Sequence, residues 1–312
     1  MRDSHAKIRL LKKKLPWLKY EHFKPAFSGT HHNVAISENY VVRERNNEPQ
    51  LVRREAKFLQ QLRHPLVPKI AWVGKVGQSI VLVENRLPGA TLDKRWKQLP
   101  RAVRFRIVRQ IVGFLKFLRE HPSRSVYSVA TGKRYPSFTN YLTQQTTQHI
   151  ALIKKYKPAR ALLEKITAVV TDFTLLKLFT TKLIAVHGDL INHNLLTDGK
   201  NLTGVLDFEL SLFGDLDYDL CRLFYYQECA TAYHEQGRDI NFEAAYIGQL
   251  TGVIIKSSLI KSQDQFGRKY QLMRAFFILG ALAWAVNSDR PRKNVKELEV
   301  LWNKYRVKRS IA

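Results

Sequence analysis

Cysteine is almost missing from this chain: Cys221 and Cys229 are the only two in 312 residues. Two thiols cannot build the disulfide framework of small secreted folds, so the sequence points to core thiols in a reducing cytoplasm. Uninterrupted apolar runs are missing as well. Met1 to Tyr20 mixes Lys or Arg into every hydrophobic stretch, unlike the central region of a signal peptide. The most apolar segment, Ala275 to Val286, has 12 residues, short of the roughly 20 that cross a bilayer. It reads as a buried helix. Acidic residues are scarce: 26 Asp and Glu stand against 52 Lys and Arg, a formal charge of +26 and a pI near 10.1. Such a field attracts phosphates, nucleic acid or anionic lipid surfaces, and speaks to partners and solubility, not to fold. The basic residues are scattered, at Lys12–Lys14, Arg53–Arg54, Arg101–Arg109, Lys154–Lys157 and Arg290–Lys293, with no long tail of the kind that marks a nucleic-acid arm. No internal repeat and no low-complexity segment occurs.

With 45% apolar and 25% charged residues the chain has ordinary globular composition, and its length allows one large domain or two lobes. The first part reads as a small sheet with one helix. Val34–Ile36 and Tyr40–Arg43 flank the turn Ser37-Glu38-Asn39, and Ile70–Val73 and Ser79–Glu84 flank Gly74–Gly77, two hairpin patterns. Between them Leu51, Phe58, Leu59 and Leu62 recur at helical spacing. Glu55 falls on that stripe, where a carboxylate is costly unless a cation meets it. Arg43 is the candidate partner; otherwise Glu55 sits at the stripe's edge and reaches water. Arg86-Leu87-Pro88-Gly89 reads as a linker, giving an N-terminal lobe over 1–87 and a mostly helical lobe over 88–312. Helices are expected over Val103–Leu118, Phe138–Lys155, Ala159–Thr180, Leu220–Leu259 and Leu272–Val286, with Glu120–Pro136 as a loop.

The chemistry concentrates at His187-Gly188-Asp189-Leu190-Ile191-Asn192-His193-Asn194. The strand-like Leu183–Val186 leads in, Leu195–Thr197 leads out, and Asp198-Gly199 reverses the chain into Leu202–Leu206, ending at Asp207. Asn194 and Asp207 are nearly equidistant from that turn, so a closed hairpin brings them together at its open end. One amide and one carboxylate suffice for Mg2+, which takes few protein oxygens and leaves positions for phosphates. Asp189 is then available to accept the proton of an attacking hydroxyl, the division of labour that phosphoryl transfer needs. His187 serves either as a base or, the preferred reading, as a brace for the loop; His193 is incidental. Asp215-Leu216-Asp217-Tyr218-Asp219 imitates the start of a calcium loop, but Leu220 and Tyr226 occupy the positions where glycine and glutamate are required. Asp215 and Asp219 are therefore expected to cap helices and brace the loop.

On these residues the chain resembles the aminoglycoside phosphotransferase and choline kinase group of the protein-kinase-like superfamily. Its loop pattern H-x-D-x-x-x-x-N stands here as His187, Asp189 and Asn194, and its D-F-G-like segment as Asp207-Phe208-Glu209. Leu202–Phe208, Gly214-Asp215 and Tyr218-Asp219-Leu220 are similar to the aminoglycoside subgroup in particular. The resemblance spans about residues 20 to 290, with its specificity in 186 to 220. It implies an α+β, two-lobed protein-kinase-like fold, with a small antiparallel-sheet N-lobe and a mostly helical C-lobe. It also implies ATP or GTP at the hinge, Asp189 as catalytic base, and Asn194 and Asp207 on Mg2+. In the N-lobe it places Arg43 at the family's strand lysine, Glu55 at its helix partner, Ser28-Gly29-Thr30 in the phosphate loop and Glu84-Asn85-Arg86 at the nucleotide hinge. Three departures stand out: arginine at 43, one glycine in the phosphate loop, and Glu209 for the usual glycine. The resemblance assigns acceptor binding to the C-terminal helices, where Glu209, Glu228, Glu235, Asp239 and Glu243 are candidates for a cationic acceptor.

The expected activity is a cytoplasmic small-molecule kinase acting on a hydroxyl of an amino sugar or amino alcohol. The charge of +26 motivates a rival, a kinase of an anionic membrane-surface sugar such as a lipopolysaccharide core, with peripheral contact to that surface. The remaining alternative is a basic nucleic-acid-binding protein that has lost catalysis, disfavoured because the base and both metal ligands are present.

Overall fold

An antiparallel sheet lies between two helices in the first of the two units into which the chain divides. The computed structural model describes residues 2–26, 33–44, 48–179, 182–235 and 241–304. This first unit comprises Met1–Arg95, Ser128–Lys133 and His193–Ser211. It opens with helix α1 (Arg2–Lys14), followed by β1 (Lys24–Ala26), β2 (Asn33–Ile36), β3 (Tyr40–Glu44), α2 (Pro49–Leu59), β4 (Ile70–Val76) and β5 (Ser79–Asn85). The strand order is β1-β2-β3-β5-β4, with every pair antiparallel.

β5 explains the layering. Its residues Ile80 to Glu84 are all buried, because the alternating side chains are covered from both sides. Val81 and Val83 join Val42, Val76, Leu11, Leu15 and Leu18 on the α1 side, while Ile80 and Leu82 meet Val52 and Ala56 of α2 on the other. No helix is expected from the sequence at α1, although Ile8 and Leu11 of the helix pack with Leu15 and Leu18 just after it into one apolar cluster. Lys7 anchors it by donating to Glu44 at 2.6 Å.

The expected first hairpin forms, with Ile36 opposite Val41. The second differs: its turn is at Gly77-Gln78, not over Gly74–Gly77, and β4 runs through Gly74 to Val76. Of Gly74 and Gly77, only Gly77 adopts a positive φ, 59°. Gly74 stays in the strand, where an added Cβ would fall 2.4 Å from the Trp72 ring. The expected hairpin Leu195–Thr197 with Leu202–Val205 is present, with Ala90–Thr91 added at its side. Asp198 Oδ1 accepts from the N–H groups of Lys200 and Asn201, both at 2.7 Å, which closes the turn.

The second unit, Trp96–Tyr127, Arg134–Asn192 and Leu212–Ala312, is mostly helical, with helices Arg101–Arg119, Phe138–Ile153, Arg160–Val170, Phe173–Leu176, Tyr218–Glu235, Asn241–Ile255, Gln263–Ala285 and Pro291–Lys304. Leu183–Val186 pairs with Leu212–Asp215 and with Pro122–Ser123. Gln263–Ala285 is the central helix: Leu272 to Leu279 are all buried, apolar residues around the paired Arg274. The expected helix Ala159–Thr180 is instead two, Arg160–Val170 and Phe173–Leu176, with Thr180 outside the described residues, and the expected helical stretch Leu220–Leu259 holds Tyr218–Glu235 and Asn241–Ile255, with 236–240 outside them. The expected loop Glu120–Pro136 holds short strands, and Pro291–Lys304 adds a helix beyond those expected. Among the described residues no helix is long and apolar enough to cross a membrane.

Leu11 is 1% exposed and ties α1 to the sheet. Leu11→Ala should destabilise the first unit by about 2–5 kcal/mol, read from denaturant unfolding. An unchanged midpoint would mean that α1 contributes nothing to the packing.

Candidate active site

In the first unit a buried charge cluster forms on the α2 face of the sheet. Val41 lies opposite Glu84 and Arg43 opposite Leu82, so Arg43 and Glu84 are diagonal neighbours on one face. Arg43 Nη2 donates to Glu55 Oε1 at 2.8 Å and to Glu84 Oε2 at 3.2 Å. Glu55 is 1% exposed and Glu84 4%. Burial works against the Arg43 charge, but Glu55, Glu84 and Asp207 outweigh it and hold the guanidinium more firmly protonated than usual. Burial, opposed by Arg43 and reinforced by the charges of Glu55 and Asp207, pushes the Glu84 carboxyl above its ordinary range. Among the described residues, Arg43 thus bonds Glu55 and Glu84 directly, and Asp207 lies near enough to act on both Arg43 and Glu84 through its charge.

Glu55 has a second task. Its Oε1 also accepts from the Phe208 N–H at 3.1 Å, and the Phe58 and Phe208 rings are 6.4 Å apart. Asp207, the residue before, sits in left-handed backbone with φ 64°, a conformation that aspartate tolerates better than most residues. Leu195 is opposite Val205, and the Leu206 N–H donates to the Asn194 carbonyl at 2.7 Å. Asn194 and Asp207 therefore flank the open end of their hairpin. An amide and a carboxylate are hard oxygen donors that fit magnesium. Among the described residues no group of three His, Cys, Asp or Glu forms a more complete metal cage. Glu209 is half-buried in the turn after Phe208.

The residues expected at the hinge are placed in detail. Glu84 points into the charge cluster; Asn85 and Arg86 are exposed. Their N–H groups donate to the carbonyls of Lys69 at 2.9 Å and Asn39 at 2.8 Å. Ser28, Gly29, Thr30 and Asp239 lie outside the described residues. Glu235 ends its helix, and Glu243 lies in the first turn of the next.

In the second unit the loop after Leu183–Val186 is fixed by one buried carboxylate. Asp219, in the first turn of Tyr218–Glu235 and 5% exposed, accepts from the N–H of His187 at 2.9 Å and of Gly188 at 2.7 Å. Gly188 has φ 85°, which glycine adopts without strain. Burial raises the Asp219 carboxyl against the pull of His187 and these two N–H donors. His187 is fully buried, and its Nδ1 accepts from the Asp189 N–H at 3.1 Å. Asp189 is half-buried, and its Oδ1 accepts a hydrogen bond from the Tyr226 hydroxyl, which in turn accepts from Arg222 Nε at 3.0 Å.

Two further carboxylates of this unit, Asp215 and Glu228, have cationic or backbone partners. Asp215 accepts from Lys269 Nζ at 3.1 Å and from the Asp217 N–H at 3.0 Å. Glu228 accepts from Arg274 Nε at 2.5 Å and from the Tyr270 hydroxyl at 2.7 Å, so its charge is already matched within the fold. Sequence reading missed Tyr226 and Arg222. Their spacing of four on a helix is a visible signal, but their target precedes Tyr226 by 37 residues.

The model of the phosphotransferase enzyme family matches residues 22–249. No curated protein matches the chain. Among solved structures, a thermostable mutant of aminoglycoside phosphotransferase APH(4)-Ia, in ternary complex with AMP-PNP and hygromycin B, is 13% identical with a TM-score of 0.70, over 95% of this chain and 97% of that one. ADP-bound aminoglycoside phosphotransferase APH(2'')-Ib is 16% identical with a TM-score of 0.65, over 95% and 96%. The streptomycin-ATP-APH(2'')-IIa ternary complex is 15% identical with a TM-score of 0.65, over 93% of each chain. At these identities the likeness is one of fold.

If Glu55 bears the load assigned to it, Glu55→Ala should cost about 3–5 kcal/mol, the usual result of stripping a buried cation of its partner. Glu55→Gln, which keeps an acceptor for Phe208, should cost less. Denaturant unfolding of both variants beside the exposed control Glu120→Ala checks this order; equal, small losses in all three would remove the role.

Proposed function

Since the chain belongs to the phosphotransferase enzyme family, we propose that it transfers the γ-phosphoryl group of ATP or GTP, bound with Mg2+, to a hydroxyl of a small molecule. The observation that supports the reading is the hairpin end, where the Leu206 N–H bonds the Asn194 carbonyl and Asp207 follows in left-handed backbone. In this reading Asn194 and Asp207 hold the magnesium, which when bound neutralises charge on the transferred phosphoryl group. Arg43 lends a guanidinium that stays protonated across the working pH range and is oriented by Glu55 and Glu84. Its fork suits a phosphate better than a lysine's point charge would. Ser28-Gly29-Thr30 are assigned to the phosphates and Glu84-Asn85-Arg86 to the base of the nucleotide.

Asp189 takes the proton of the acceptor hydroxyl as the oxygen attacks the phosphorus. The loop that carries it is held by Asp219 and His187, so the carboxylate is oriented before the acceptor arrives. Amino sugars and amino alcohols are the proposed acceptors, with Glu209, Glu235 and Asp239 as candidates for their ammonium groups. The aminoglycoside complexes of the structural neighbours support that class. The two free cysteines, Cys221 and Cys229, suit a cytoplasmic setting.

A phosphate-transfer screen with ATP and GTP over aminoglycosides, amino alcohols and neutral sugars should find at least one acceptor. Asp189→Asn should then lower kcat by about 10²–10⁴ with nucleotide binding intact, and Asp207→Asn should weaken magnesium-dependent nucleotide binding. Full turnover in Asp189→Asn would overturn the assignment.

A further inference from the structure

Asp219, Arg222 and Tyr226 follow one another at spacings of three and four on the helix Tyr218–Glu235, so they share one face. Asp219 holds the backbone of the loop, and one helical stretch further on Tyr226 reaches the side chain that the loop presents. Arg222 connects the two. Its guanidinium lies 4.9 Å from the centre of the Tyr226 ring, 4.7 Å from that of Phe277 and 5.9 Å from that of Tyr225, stacking that restricts both partners.

The direction of the hydrogen bonds follows from protonation. Burial chiefly, and then the charge of Asp189, push the Tyr226 hydroxyl well above its ordinary range, while Arg222 pulls the other way. The phenol therefore keeps its proton. Arg222 Nε–H can only donate, so it takes a lone pair of the Tyr226 oxygen and turns the hydroxyl proton toward Asp189 Oδ1. An ionised carboxylate has about four acceptor positions, so a bond from Tyr226 is compatible with an acceptor hydroxyl on the same group. Two-point fixation, by the backbone on one side and the phenol on the other, leaves the carboxylate a single orientation.

We propose that Tyr226 is a positioning residue for phosphoryl transfer: its hydroxyl holds the Asp189 carboxylate in the orientation that receives the acceptor's proton, and Arg222 holds Tyr226. The proposal rests on Asp189 being the base. It predicts that orientation, not binding or folding, is what the pair supplies.

Tyr226→Phe keeps the ring against Arg222 and deletes only the hydroxyl. Its kcat should fall about 10- to 100-fold, with the KM for nucleotide and the Tm unchanged. Because Arg222 acts through Tyr226, Arg222→Lys should slow the parent, yet the double variant should be no slower than Tyr226→Phe alone. Nucleotide hydrolysis without acceptor, in which water takes the place of the hydroxyl, gives the same comparison should no acceptor be found. Parental kcat in Tyr226→Phe, or a loss carried by KM or Tm, overturns the proposal. Strictly multiplicative losses in the double variant overturn the part played by Arg222. Asp189→Asn separates the two levels: if it turns over normally, the base assignment fails, whereas a dead Asp189→Asn beside a normal Tyr226→Phe sinks only the positioning role.

Discussion

The side chain of Glu55 is the point through which the first unit is tied together. Its buried carboxylate accepts from Arg43 on β3 and from the Phe208 N–H, so a helix, a strand and the segment after the Leu195–Val205 hairpin share one acceptor. Left alone in that apolar setting it would carry a heavy desolvation penalty. Paired, it converts the same low dielectric into strong, directional bonds. The left-handed backbone of Asp207 is strained by nature, and pinning the N–H of the very next residue is what keeps it there.

The second unit uses the same device. Asp219 is a buried carboxylate that accepts two loop N–H groups, as Glu55 accepts one. In each unit the residue assigned to the chemistry is not the one that is buried and charged; it sits next to backbone that such a residue holds. Reacting groups thereby stay half-exposed while their positions are set by groups that water does not reach. The raised carboxyl of Asp219 shows the strain of this arrangement: burial disfavours its charge, and the loop's own N–H groups are part of what offsets it.

Much of this was legible in the sequence where the signal is local. A carboxylate on an apolar helical stripe required a cation, and Arg43 is that cation. Asp198-Gly199 announced the hairpin, and the turn formed where Asp198 could cap it. What stayed hidden depends on register or on distant partners. Glu84 joins Arg43 only because β3 and β5 pair Val41 with Glu84, a register the sequence does not print. Gly74 and Gly77 look alike in sequence, yet only one meets a turn that needs positive φ. Glu228 read as a free carboxylate because Arg274, its partner, is 46 residues away. The stripe of α1 was present in the sequence but was masked by the lysines between its leucines, which cover the solvent side of the same helix.

Arginine at position 43 changes what can be done to this protein chemically. A lysine there would be an amine, capable of losing its proton and attacking an acylating reagent. A guanidinium, buried beside two carboxylates and held protonated by them and by Asp207, has no such nucleophilic form at accessible pH. An amine-directed acylating reagent will therefore pass over this position. A reagent aimed at it has to recognise a planar cation, not trap an amine.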